Sequence, residues 1–198
     1  MRHDRGGWRG LASLALVGLL GWIAPVQADE GLWRALRSGD AVALLRHATA
    51  PGTGDPPGFD LNDCATQRNL SPAGRAQARR IGEALRRHGV VDARVWSSRW
   101  CRCLETARLL AVGAVRPLPL LDSFFAHSER GPGQTAALRD FLRDSAGGAP
   151  RLLVTHQVNI TALTGIVPQP GEMIVIRPMA DGAARIMRRL ALAPARAE

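Results

Sequence analysis

Four residues suited to phosphate chemistry follow short apolar runs of the sequence. Arg46 and His47 end the run ALLRH, His156 ends the run RLLVTH, and Arg102 lies just beyond the pair of serines that ends a third run. A guanidinium makes two parallel hydrogen bonds to the oxygens of one phosphate, and an imidazole can exchange protons or attack phosphorus. If the four side chains meet, the sequence predicts a phosphate-binding pocket.

The apolar runs that precede these residues have the character of buried strands. Residues 42–45, 93–96 and 151–155 predict strands, and residues 73–87 and 101–111 carry apolar side chains at helical spacing. This alternation predicts a three-layer α/β/α sandwich with a mostly parallel central sheet. Ligands of such sheets bind at the carboxyl ends of the strands, so we expect the four residues to lie at one edge.

The remaining segments complete this prediction. Ser71 and Pro72 are typical of a helix start, and residues 51–58 predict a loop because they contain three Pro and three Gly. Residues 115–120 predict extended backbone, and 123–133 a long polar and aromatic loop with a candidate functional role. We expect a helix over 134–144, a further helix around 160–163, and a closing pair of strands over 172–177 and 184–190.

The first 28 residues have the three-part layout of a secretory signal peptide. A basic start with three arginines precedes an apolar run over residues 11–24, and small residues follow up to Ala28. The apolar run has about 14 residues, fewer than the roughly 20 that span a bilayer, although an uncleaved anchor is the alternative. We therefore expect a signal peptide over residues 1–28 and one domain over 29–198, periplasmic or secreted and without stable membrane insertion after cleavage.

The composition narrows the class of ligand. All 26 basic residues are arginine, the net charge is +9, and tyrosine is absent. An arginine excess without basic runs interleaved with aromatics favours small anionic ligands over nucleic acid. The three cysteines of the predicted mature chain, Cys64, Cys101 and Cys103, lack the spacing of a metal site. In an exported protein we expect Cys64 to pair with Cys101 or with Cys103.

Four segments, in the same order, resemble the motifs of the histidine phosphatase superfamily, also called phosphoglycerate mutase-like. They are LLRHATAPG, LSPAGRAQARRIG, WSSRWCRCLETARLL and VTHQVNITAL, which together extend from about residue 44 to 163. The resemblance implies that His47 attacks phosphorus to form a phosphohistidine and that Arg46 and Arg102 hold the phosphoryl oxygens. It implies that His156 stabilises the transition state, with no metal or cofactor.

Two departures from the family pattern concern substrate binding near the first motif. Ala48 and Thr49 follow His47 where the family usually has a glycine and then an acidic or polar residue. The hydroxyl of Thr49 could still bind phosphate. In the loop that follows, Arg68 is the candidate for a substrate contact.

A further departure concerns the general acid that protonates the leaving group. Ser123 stands where the family often has a glutamate, and Gln157 stands where another branch has an aspartate after the late histidine. Three possibilities remain open: Asp122, one residue early, Glu129 in the same loop, or no dedicated carboxylate.

The leading functional hypothesis is an exported, metal-independent phosphatase that hydrolyses a small phosphorylated compound. The compact chain favours a phosphatase over a mutase, and we expect a monomer or a homodimer. The alternative is a non-catalytic binder of phosphorylated or anionic envelope ligands that uses the same Arg/His pocket. A weaker option is association with anionic lipid through the positive charge.

Overall fold

The computed structural model describes residues 24–144 and 147–193, which contain one six-stranded sheet and five α-helices. The strands are β1 (Val42–Arg46), β2 (Arg94–Ser97), β3 (Val115–Pro117), β4 (Arg151–Thr155), β5 (Met173–Pro178) and β6 (Ala184–Leu190). The helices are α1 (Ala24–Arg37), α2 (Pro72–Arg87), α3 (Cys101–Leu110), α4 (Gly131–Asp144) and α5 (Gln157–Thr164).

The sheet has the strand order β3-β2-β4-β1-β5-β6. Strands β3, β2, β4 and β1 are parallel to one another. Strand β5 pairs antiparallel with β1, and β6 pairs antiparallel with β5. Arg46 of β1 is paired with Thr155 of β4, so the two strands end at the same level. Because His47 and His156 are the next residues in each strand, the register places both histidines at one edge of the sheet.

Helices cover both faces of the sheet and form three layers. On one face, α1, α2 and α3 pack on alternate strand residues such as Leu45, Val95 and Val154. On the other, α4 and α5 pack on the intervening residues such as Leu44 and Leu153. The inner strands are buried on both faces, which explains their continuous apolar sequence. The predicted α/β/α sandwich is confirmed.

Helix α1 belongs to the folded domain, although the sequence reasoning assigned no element there. It begins at Ala24 and so extends across the predicted cleavage site after Ala28. Leu32, Trp33 and Leu36 are buried in the core on the α1 side of the sheet. Residues 1–23, which hold most of the predicted signal peptide, lie outside the described part of the chain.

Most of the predicted elements occur at the expected places, with two corrections. Strands 151–155 and 184–190 have the predicted bounds, and Ser71 caps α2 by accepting a hydrogen bond from the Gly74 amide. The extended segment predicted over 115–120 is instead β3 followed by a 3₁₀ turn, Pro119–Leu121. The predicted loop 123–133 is shorter, because a 3₁₀ turn leads into α4 at Gly131. Pro132 lies in the first turn of α4, where proline is tolerated.

Among the helices of residues 24–144 and 147–193, none has the length and apolar character needed to cross a membrane.

Candidate active site

A cavity of about 880 Å³ opens at the carboxyl ends of β1 and β4 and beside the start of α3. Six residues singled out from the sequence line it: Arg46, His47, Arg68, Arg102, Asp122 and His156. The structure therefore brings together both histidines, three arginines and one candidate acid.

His47 is buried in a defined tautomeric state. Its side chain is 3% exposed, and its Nδ1 lies 2.8 Å from the carbonyl oxygen of Ala48. Because a carbonyl can only accept, Nδ1 carries the proton and Nε2 keeps its lone pair. Burial, together with the positive charges of Arg102 and Arg68, lowers the pKa of His47 to about 3, although the hydrogen bond to the Ala48 carbonyl acts in the opposite direction. At neutral pH, His47 is an uncharged imidazole with a free nucleophilic nitrogen.

His156 lies beside His47 at the floor of the cavity. The two ring centroids are 5.5 Å apart and the rings are inclined by 69°. The Nε2 atom of His156 is 2.8 Å from the Ser98 hydroxyl and 3.5 Å from the Cys103 sulfur. Burial holds the pKa of His156 well below its ordinary value, and the neighbouring His47 and Arg102 act in the same direction. Both imidazoles are therefore neutral near pH 7.

The three cavity arginines that the sequence singled out are each held by neighbouring groups. Arg46 donates from Nη1 to the Pro168 carbonyl at 2.8 Å. Arg68 donates from Nε to the Gly54 carbonyl at 2.7 Å and from Nη1 to the Ala50 carbonyl. The Nε groups of Arg46 and Arg102 are buried and have no hydrogen-bond partner among the described residues. Both arginines line the cavity, which places their positive charge beside an anion bound there.

Arg102 makes a two-pronged ion pair with Asp55. Its Nη1 and Nη2 donate to the two carboxylate oxygens at 2.6 and 3.1 Å, and the guanidinium is 3% exposed. Asp55 also accepts from the Trp100 indole at 2.9 Å and from the Arg68 amide at 3.2 Å. Burial alone would raise the pKa of Asp55, but the hydrogen bonds from Arg102 and Trp100 bring it below its ordinary value. Asp55 is a carboxylate in the resting site.

Asp122 is the candidate acid that reaches the cavity. Its carboxylate pairs with the Arg99 guanidinium at 2.6 Å and accepts from the Arg99 amide at 2.9 Å. The Ser98 hydroxyl lies 3.3 Å from Asp122 Oδ1, so one hydroxyl links Asp122 to His156. Glu129 instead has a largely exposed side chain and faces His127 and Arg130.

Thr49 is turned away from the phosphate pocket. Its amide and its hydroxyl both donate to Oε1 of Gln77, at 3.0 Å each, and it is absent from the cavity lining. We therefore leave Thr49 out of the proposed phosphate site. Its backbone still shapes the loop after His47, because α2 approaches it closely. A Cβ on Gly74 would lie 2.0 Å from the Thr49 carbonyl oxygen.

Cys64 and Cys101 form a disulfide, one of the two pairings left open by the sequence. The bond joins the loop that carries Arg68 to the first residue of α3, next to Arg102. Cys103 is a buried free thiol, and burial raises its pKa to about 12. A protonated buried thiol is a poor nucleophile, so Cys103 does not compete with His47 for that role.

Comparison with models of known protein families matches part of the chain. The family model of the histidine phosphatase superfamily, branch 1, matches residues 42–124, which include Arg46, His47 and Arg102. Over residues 42–124 the chain therefore resembles the histidine phosphatase superfamily. A search of curated proteins finds no significant match in sequence.

Solved histidine phosphatase structures share this fold at low sequence identity. The protein histidine phosphatase SixA complexed with tungstate is 17% identical, with 77% of this chain and 97% of that chain covered and a TM-score of 0.55. Phosphoserine phosphatase from Entamoeba histolytica is 13% identical, with coverages of 76% and 96% and a TM-score of 0.55. The mycobacterial glucosyl-3-phosphoglycerate phosphatase is 19% identical, with coverages of 76% and 97% and a TM-score of 0.52. At these identities the likeness supports the fold.

Sequence reasoning missed several residues of this site. Asp55 was interpreted as part of a turn-rich loop, Arg99 received no role, and Trp100, which lines the cavity beside His156, was not singled out. The available signal for Asp55 was an acidic residue in an otherwise uncharged Gly/Pro loop directly after the His47 motif. Within the described residues, no group of three or more His, Cys, Asp or Glu side chains is placed to hold a metal ion.

Proposed function

We propose that this chain is an exported, metal-independent phosphatase that hydrolyses a small phosphomonoester through a phosphohistidine on His47. The observation that carries the proposal is the state of His47. It is a buried, neutral imidazole whose Nδ1 donates to the Ala48 carbonyl, and it lies in a cavity lined by five arginines, among them Arg46 and Arg102. A nucleophile beside fixed positive charge is the arrangement that phosphoryl transfer requires.

In the first half of the reaction, Nε2 of His47 attacks phosphorus and the bond from phosphorus to the leaving oxygen breaks. Arg46 and Arg102 hold the phosphoryl oxygens, and the neutral His156 donates a hydrogen bond to the charge that develops. The leaving oxygen takes a proton from the general acid. In the second half, water attacks phosphorus and gives a proton to the carboxylate left by the general acid, the phosphorus–nitrogen bond breaks, and inorganic phosphate leaves with His47 and the acid restored.

Asp122 is our proposed general acid, because it lines the cavity and Glu129 does not. To donate, its carboxyl must first take up a proton in competition with the ion pair to Arg99. Two amides fix the backbone of Asp122, since Gln134 and Asn159 donate to its carbonyl at 2.7 and 2.9 Å. The carboxyl therefore has a set position relative to the histidines.

Export is part of the proposal and rests on the signal-peptide pattern of residues 1–28. The Cys64–Cys101 disulfide supports it, because such bonds persist in oxidising compartments. Cleavage after Ala28 would remove the first residues of α1 but keep Leu32, Trp33 and Leu36, which pack in the core. Amino-terminal sequencing of protein recovered from a periplasmic extract is expected to begin at Asp29. An intact leader would refute cleavage at this site.

The second candidate function is a non-catalytic binder of phosphorylated or anionic ligands. It is favoured by Ser123, which occupies the family's acid position and lines the cavity, and by the ion pair that holds Asp122. Such a protein would bind phosphate in the same pocket without turnover.

Turnover of para-nitrophenyl phosphate in EDTA distinguishes these two functions. We expect hydrolysis by the purified protein and its loss, by at least 10³-fold, in His47→Ala. His88→Ala is the matched control, since His88 is exposed and stacks on Trp33 outside the cavity. Phosphate binding without turnover, on this ester or on an acyl phosphate, would support the binder and overturn the enzyme.

The assignment of Asp122 as the general acid is tested with two phosphate esters that have different leaving groups. We expect Asp122→Asn to lower kcat tenfold or more on an alkyl phosphate, and much less on para-nitrophenyl phosphate, whose leaving group needs little protonation. Glu129→Gln is the matched control and is expected to match the wild type. A loss in Glu129→Gln alone would move the assignment to that residue.

A further inference from the structure

Asp55 binds the guanidinium of Arg102, which the proposed function assigns to the phosphoryl group of the substrate. Both carboxylate oxygens bind the Nη1 and Nη2 atoms of Arg102, the same fork that a phosphate accepts from a guanidinium. The ion pair is buried, with side-chain exposures of 3% for Arg102 and 9% for Asp55. The anion site of the resting protein therefore already holds an anion, supplied by its own chain.

Asp55 lies inside the cavity and close to the phosphate site. Arg46, His47, Arg68, Arg102 and His156 all line the same space as Asp55. A phosphoryl group that reached His47 would face the Asp55 carboxylate across Arg102. Two anions that share one buried guanidinium repel each other at low dielectric constant, so both cannot be held there at full strength.

The loop that carries Asp55 is exposed to solvent on both sides of this residue. Its neighbours Thr53, Pro56 and Pro57 are exposed, and Gly52 and Gly54 have φ values of +88° and +71°, which let the backbone turn sharply. Asp55 is held by Arg102, by the Trp100 indole and by the Arg68 amide, and the Arg68 guanidinium donates to the carbonyls of Gly54 and Ala50. Outward movement of Gly54 and Asp55 would release Nη2 of Arg102 and Nε of Arg68, whereas Nη1 of Arg102 also donates to the Arg68 carbonyl at 3.3 Å.

We propose that Asp55 is an internal competitor of the substrate, which sets the affinity of the site by closing its loop onto Arg102 until a phosphoryl group displaces it. This proposal rests on the proposed function in that it takes Arg102 as a phosphate-binding group. The site then exists in a closed form, with Asp55 on Arg102, and an open form that binds phosphate.

A site with a closed and an open form predicts by how much anion affinity changes when the competitor is removed. The apparent dissociation constant of any anion equals its intrinsic value divided by the open fraction. If the site is open one tenth of the time, removal of the competitor tightens binding tenfold. Because the open fraction is a property of the protein, inorganic phosphate and tungstate must tighten by the same factor.

The experiment measures binding of inorganic phosphate and of tungstate by calorimetry to the full chain and to Asp55→Asn. Asparagine keeps the shape of the side chain and removes its charge. We expect both dissociation constants to fall at least tenfold and by equal factors. Asp60→Asn, in the same loop, removes an exposed carboxylate that accepts from the Asn62 amide, and it is expected to change neither constant by more than twofold.

Unchanged or weaker phosphate binding in Asp55→Asn would overturn the proposal, because it would make Asp55 a partner that positions Arg102. Thermal melting of each variant shows whether it is folded. If Asp55→Asn does not fold, the structure of the wild-type protein with tungstate decides: Asp55 must leave Arg102, and a retained Arg102–Asp55 fork refutes displacement. Anion binding can be measured without turnover. If the wild-type protein is inactive but Asp55→Asn tightens anion binding as expected, the proposed phosphatase activity is refuted and the role of Asp55 as a competitor is supported.

Discussion

Acid is expected to destabilise this protein through His47. In the unfolded chain this imidazole takes up a proton near pKa 6.5, whereas burial lowers its pKa to about 3 in the folded protein. Below pH 6.5 the unfolded state therefore binds more protons than the folded state. The contribution of His47 to stability is fully present above pH 6.5 and is lost as the pH falls towards 3.

The size of the loss follows from the two pKa values. Each pH unit between them costs about 1.4 kcal/mol of unfolding free energy for one group. Between pH 7.5 and pH 4.5 the wild-type protein is expected to lose about 3 kcal/mol through His47 alone, because roughly two of those units lie below 6.5. His47 is 3% exposed, so solvent screening does not remove this effect.

The assay is urea unfolding, with the disulfide intact, at pH 7.5 and pH 4.5 for the wild type and for His47→Asn. Asparagine can still donate to the Ala48 carbonyl but does not titrate. The wild type should lose about 3 kcal/mol more than the variant over this pH interval. His156 is present in both proteins, so the part of its pKa shift that comes from burial cancels in this difference. Equal losses in the two proteins would refute a buried, neutral His47.

Two further predictions concern the elements that hold the site. Cys64→Ser removes a disulfide between residues 37 positions apart and should lower the unfolding free energy by about 4 kcal/mol on the chain-entropy model. A loss below about 1 kcal/mol, with the bond shown present in the wild type, would contradict it. Gly74→Ala brings a Cβ within 2.0 Å of the Thr49 carbonyl and should cost at least about 2 kcal/mol in denaturant unfolding. Gly133→Ala adds a Cβ in open space and should stay within about 1 kcal/mol of the wild type, so equal costs would refute the close contact.

The edge of the sheet that carries the candidate site was predictable from the sequence, because residues at the ends of parallel strands lie close together in space. Buried runs that each end in Arg or His must bring those residues to one edge once the strands are parallel. Helix α1 was not predictable in the same way, since its first residues continue the apolar leader. The start of α4 was missed because Gly131 and Pro132 are typical of both loops and first helical turns.

Asp55 was beyond the reach of sequence reasoning for a different physical reason. Its role depends on the path of a loop with little regular hydrogen bonding, and left-handed glycines allow that loop many paths. The position of the carboxylate is fixed by partners that are distant in sequence, namely Trp100 and Arg102. Spacing rules describe helices and strands, and they say nothing of such contacts.

The low pKa of His47 and the position of Asp55 have one physical origin. Burial beside arginines keeps the imidazole of His47 neutral even in acid, and Arg102 is buried beside it, where it receives the phosphoryl group. An uncompensated guanidinium at 3% exposure would be costly, because little water reaches it. The empty site therefore needs a counter-charge that leaves when the substrate arrives, and a carboxylate on an exposed loop supplies one. A permanent partner from a rigid strand would satisfy Arg102 equally well but would exclude the phosphate.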